Sequence, residues 1–232
     1  MNKYNFNRWC KTEWLKFSLL IVGFMLVFML VNWNNWSVSL KCLSVITALV
    51  PIIHATEEWV FPGGFSYQYN LFLNKSDHPK CYPMNRASDM ITVLGTTLMY
   101  AVITLYFAIT GNVVPTGVVL GAACFSTLEV AGHTFFGIKA YLTFKDKGKT
   151  TIYGVGSMTA YAGFLVLGTI MFREIALLGL TSKDFIYCMM VLGIIIIFVV
   201  VPEIIFKDKE SPYAYQDCGY YERFLDDENK CE

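Results

Sequence analysis

The groups that could do chemistry in this 232-residue chain are two of its three histidines and a few carboxylates set within long apolar stretches. His54, Glu57 and Glu58 stand at i, i+3 and i+4, so on a helix the imidazole shares a face with both carboxylates. Glu129 and His133 repeat the i, i+4 spacing, as do Asn85 and Asp89. Two imidazoles with several carboxylates and no thiolate suit a divalent first-row metal such as Zn or Fe better than Cu(I) or an iron–sulfur cluster. His54, His133, Glu129 and one of Glu57 or Glu58 make a four-ligand set, with the other carboxylate left as base or second ligand. Asp89 or Asn85 is placed to orient an imidazole from behind. Metal ligation is accordingly assigned to His54, Glu58, Glu129 and His133, and catalysis to Glu57, Glu58 and Asp89. The H-x-x-E-E…E-x-x-x-H spacing is not that of a zincin. Of the remaining candidates, His78 reads as a loop residue and Cys124 as a small buried hydrophobe.

These groups need helices to hold them, and the composition supplies helices in a bilayer. Hydrophobic residues make up 55% and charged residues 16%, against roughly 25% charged in an ordinary soluble domain. The 18 basic and 18 acidic residues cancel, so no global field points to nucleic acid. Seven cysteines without a CxxC argue against a disulfide scaffold. Runs long enough to cross a bilayer as helices occur at about Leu15–Asn32, Ser37–Val60, Ala87–Thr110, Val114–Phe144, Ile152–Phe172 and Phe185–Phe206. The expected fold is an all-α, polytopic membrane bundle of about six transmembrane helices over residues 1–206. A polar, Tyr-rich tail follows at 207–232, for which docking and disorder are both left open. Lys and Arg fall 15 to 3 in favour of the segments that include both termini, which predicts cytoplasmic N and C termini. On that topology His54 and the Glu129/His133 pair lie at similar depth in the inner leaflet. Carboxylates facing lipid are costly, so one shared pocket is the cheaper arrangement.

The stretch His54-Ala-Thr-Glu57-Glu58-Trp-Val-Phe-Pro62-Gly63-Gly64-Phe65 resembles the HXXEE family of membrane proteins. The likeness continues through Asn85, the Glu129/His133 pair and a Tyr-x-x-Gly turn at Tyr153 and Gly156, and covers roughly residues 38–205. The family's turn is usually Tyr-Asn-Pro-Gly, and here it reads Tyr-Gly-Val-Gly. The resemblance implies that the pocket residues form a set. It implies no substrate, because the family has no assigned activity.

The function expected from these residues is that of a membrane-embedded metalloenzyme, a hydrolase or a di-iron-type oxidoreductase. Its partners would be a hydrophobic or lipid-like substrate and membrane lipids, with no nucleic acid and with homo-oligomerisation left open. The expected location is a bacterial cytoplasmic membrane. A metal-free acid–base isomerase of a sterol- or isoprenoid-like compound is the alternative, followed by a transport or binding protein. The outer halves of the spans hold almost no ionisable groups, which argues against a proton relay.

Overall fold

A chain in hydrocarbon must satisfy its own backbone polar groups, and this one does so with helices. The computed structural model describes residues 3–225, and among these the regular structure is entirely helical. Six helices are long and apolar enough to cross a bilayer: Trp14–Val31, Val38–Trp59, Arg86–Thr110, Thr116–Lys147, Ser157–Leu178 and Ser182–Phe206, here spans one to six. They point to a membrane protein of the all-α class expected. Span five is displaced from its expected limits, starting at Ser157 rather than Ile152 and ending at Leu178 rather than Phe172. Gly156, at φ +89°, sets the start, and Gly179, at φ +78°, sets the end. Arg173 and Glu174 interrupt the apolar run but not the helix.

Span two is the most buried of the six. It is not regular: Leu49–His54 forms a π-helical turn around Pro51, whose missing N–H removes a ladder bond. A second π turn, Ala160–Leu165, lies in span five, and Gly163 there lets the Leu49 side chain in. Span six leans across the bundle. Near its start it packs on span four, where a Cβ at Gly117 would come within 2.0 Å of the Asp184 carbonyl. Further along it packs on span three, where Gly95 receives the Phe198 ring.

After span two, Gly63 and Gly64 (φ +72° and +101°) turn the chain into a short helix, Phe65–Gln68, continued by a π turn over Tyr69–Leu73. The tail folds back over this turn. Tyr220 N–H donates to the Gly63 carbonyl at 3.0 Å, and Tyr215 N–H to the Lys80 carbonyl at 3.0 Å. The Tyr213 carbonyl accepts from Arg86 N–H at 3.0 Å and from its Nε at 3.2 Å. The tail is therefore docked over residues 207–225, and its remainder, 226–232, lies outside the described residues.

Candidate metal centre

His54 closes the π turn of span two, and Glu58 follows one turn later. Glu129 and His133 occupy successive turns of span four. The two helices bring these four side chains together. His54 Nε2 lies 3.2 Å from His133 Nε2, 3.2 Å from Glu58 Oε1 and 3.4 Å from Glu129 Oε2. His133 Nε2 lies 3.5 Å from Glu58 Oε1 and 3.5 Å from Glu129 Oε2. Both imidazole nitrogens thus lie within 3.5 Å of an oxygen of each carboxylate. Ligand atoms that share a tetrahedral ion at about 2.1 Å, within the range of zinc–nitrogen and zinc–oxygen bonds, stand about 3.4 Å apart, and His54 Nε2, Glu58 Oε1 and His133 Nε2 are at 3.2–3.5 Å. His54, Glu58 and His133 are buried and make a group that could hold a metal ion. Glu129 is the open corner, with 24% of its side chain exposed.

The other ring nitrogens fix what the inward ones can do. His133 Nδ1 is 2.8 Å from the Val155 carbonyl oxygen. A carbonyl only accepts, so Nδ1 carries a proton, and in the neutral ring Nε2 presents a lone pair. His54 Nδ1 is 2.7 Å from Thr159 Oγ1. That hydroxyl has acceptors for its one proton at Glu57 Oε2, 2.6 Å away, and the Gly156 carbonyl, 3.1 Å away. It therefore accepts from His54, whose Nε2 is likewise a lone pair when the ring is neutral. With both rings neutral, each imidazole turns a lone pair toward the other and toward the two carboxylates.

The residues behind the imidazoles are held just as closely. Gln68 donates from Nε2 to the Val155 carbonyl at 2.8 Å and accepts from Val155 N–H at 3.0 Å. Tyr221 donates its hydroxyl to the same Gln68 oxygen. Gly156 lies under the His133 ring, where a Cβ would come within 2.0 Å of Cε1. Glu57 receives Tyr153 OH at 2.9 Å, Met158 N–H at 3.1 Å, Thr159 N–H at 2.8 Å and the Thr159 hydroxyl. Burial and the Glu57 carboxylate push the Tyr153 phenol above its usual range, which keeps it a donor.

Of the expected site residues, His54, Glu58, Glu129 and His133 are brought together. Glu57 faces away from them and fixes the start of span five through Thr159. Asp89 stands in the wall of an adjoining cavity of about 200 Å³, which Glu58, Glu129 and His54 also line. It accepts from Tyr215 OH of the tail at 2.6 Å. Burial and Asp89 raise the Tyr215 phenol well above its ordinary value. Neither Asp89 nor Asn85 orients an imidazole. Asn85 caps span three, accepting from Ala87 N–H at 3.1 Å and Ser88 N–H at 3.3 Å, and donates to the Phe206 carbonyl at 2.7 Å. The orienting groups are Thr159 and the Val155 carbonyl. In the sequence Thr159 is one of several polar residues that open span five, and a backbone carbonyl leaves no trace in residue type.

A scan against protein-family models, a search of curated proteins and a search of solved structures each find no match.

Proposed function

We propose that the protein is a membrane-embedded metal-dependent hydrolase acting on a lipid-like substrate from the cytoplasmic leaflet. One observation supports the reading: His54 Nε2, Glu58 Oε1 and His133 Nε2 lie 3.2–3.5 Å from one another in a buried group that could hold a metal ion. Three buried protein ligands, two His and one Glu, with a fourth position open to a cavity are the pattern of a catalytic rather than a structural zinc site. His54, Glu58 and His133 would hold the ion, which when bound lowers the pKa of a coordinated water toward neutrality. Glu129, the corner exposed to the cavity, would take the proton from that water as its oxygen attacks, and pass it to the leaving group as the scissile bond breaks. A single centre fits better than an iron pair, since Glu57 is occupied by Tyr153, Met158 and Thr159, and Asp89 by Tyr215. The cavity walls, which include Val50, Val93, Phe125, Phe164, Ile195 and Val199, suit an apolar substrate.

Elemental analysis of protein purified without chelator tests this. The expected result is about one zinc or iron per chain, lost in His54→Ala and His133→Ala. Folded wild-type protein that takes up neither metal on titration would overturn it. The 3.2 Å separation of His54 Nε2 and His133 Nε2 also suits one shared proton, which favours the acid–base isomerase as the second reading. Activity that survives exhaustive chelation, yet is lost in Glu129→Gln, would select it.

A further inference from the structure

Span six does not follow span four along its length. Residues 117, 121, 124, 128, 132 and 135 form one stripe of span four, spaced by three or four positions. At the start of the stripe span six is in contact: a Cβ on Gly121 would lie 2.7 Å from Val191 Cβ. Further along, the same stripe is bare. Leu128 is 62% exposed and Phe135 38% exposed, and a Cβ added at Gly132 would meet nothing within 4 Å. Span six has moved to span three by then. Thr92 Oγ1 donates to the Phe198 carbonyl at 3.0 Å, and Asn85 Nδ2 to the Phe206 carbonyl at 2.7 Å. The gap between spans four and six is closed at the far end by Tyr69, which packs near Phe136 of span four and donates to Glu203 Oε2 of span six at 2.8 Å.

Behind this gap lies the cavity beside the cage, with Glu129 on the span four side and Ile195 and Val199 on the span six side. Its volume of about 200 Å³ falls below the roughly 300–1,000 Å³ that encloses a whole drug-sized ligand. The gap is bordered by apolar side chains within two helices fit to cross a bilayer, so its natural occupant is a hydrocarbon chain.

We propose that substrate reaches the cage sideways, from the bilayer, through a window between spans four and six. The window is bounded by the Gly121–Val191 contact at one end and the Tyr69–Glu203 hydrogen bond at the other. The substrate class is an amphiphile with a slim apolar chain, of which only the reacting segment enters the cavity while the rest stays in lipid. The proposal rests on the reading of the cage as a metalloenzyme site.

The test uses the full chain in phosphatidylcholine vesicles that contain a phosphatidylcholine with a diazirine midway along one acyl chain. After illumination, adducts are mapped by mass spectrometry, and bound metal is measured on the same sample. The expected result is labelling of Glu129 and of Val199 or Ile195, reduced about tenfold in Gly132→Trp and in Leu128→Trp, with metal content unchanged. Labelling confined to outward positions such as Ile196 and Ile197 would overturn the window, as would unchanged Glu129 labelling in both variants. Because the wild-type map alone decides between inward and outward labelling, the test survives a variant that does not fold. Labelled Glu129 in a metal-free protein would leave the window standing and remove the metalloenzyme reading. Full metal with no inward label would do the reverse.

Discussion

Thr159→Val removes one oxygen atom while keeping the shape of the side chain. Thr159 Oγ1 is the acceptor, at 2.7 Å, that keeps the His54 proton on Nδ1. Without it the ring has no reason to hold that tautomer, and moving the proton to Nε2 would abolish a ligand. Glu57 is much less affected, because it keeps the donors Tyr153 OH, Met158 N–H and Thr159 N–H. The start of span five therefore stays anchored. A buried donor left without its partner costs about 1–3 kcal/mol, which at about 1.4 kcal/mol per tenfold is roughly a 5- to 150-fold loss. Residues that orient metal-bound histidines elsewhere cost about 10- to 100-fold in metal affinity when replaced, and the expected weakening lies in that range. Competition against a chromophoric chelator in detergent measures it. Thr159→Ser restores the hydroxyl and should bind within a few-fold of wild type. Equal affinity for wild type and Thr159→Val would refute the tautomer argument and, with it, the lone pair on His54 Nε2.

Three further outcomes follow from the same geometry. Gly156→Ala puts a Cβ 2.0 Å from the His133 ring at a φ of +89°, so the ring must move; strain of about 1–3 kcal/mol should lower the thermal midpoint by several degrees and abolish stoichiometric metal binding. Glu129→Gln removes one of two carboxylates that crowd the same pair of imidazoles; after chelation it should melt no lower than wild type, whereas with saturating zinc it should melt below it, and equal losses in both states would contradict the cage. Tyr215, whose phenol is raised by burial and by Asp89, contributes tail docking that is complete below the ordinary tyrosine pKa near 10 and lost as pH rises through its higher folded value. Limited proteolysis of the tail should be flat from pH 6 to 9 and increase in alkali, and Tyr215→Phe should expose the tail already at neutral pH.

What could be read from the sequence was what is local. Apolar runs and the i, i+4 pairs His54/Glu58 and Glu129/His133 lie within single helices, so periodicity alone gave the spans and the ligand faces. Their convergence followed from the cost of unpaired charge in hydrocarbon rather than from any pairwise signal. The groups that hold the ligands in place are distant in the chain: Thr159 lies 105 positions from His54 and Tyr215 lies 126 from Asp89. No periodicity links such positions. Glu57 and Glu58 are adjacent and alike in type, and only the rotation of the helix sends one into the cage and the other to Thr159. Asn85 was open to a better reading, since Asn followed three residues later by Ser and then by an apolar run is a helix start.

The charge at the cage bears on the proposed metal. Glu58 and Glu129 are flanked by histidines, and no lysine or arginine pairs with either among the described residues. The buried bases nearby are committed elsewhere, Arg86 to Asn7 and the Tyr213 carbonyl, and Lys149 to the Tyr153 carbonyl and Tyr220. Two carboxylates in low dielectric cost several kcal/mol each unless a cation accompanies them. Protonating both imidazoles would balance the charge but would set two N–H groups against each other at 3.2 Å. One shared proton relieves that contact and leaves a net negative charge. A single divalent ion held by His54, Glu58 and His133 would offset both carboxylates and use both lone pairs, so the charge supports the proposed metal reading.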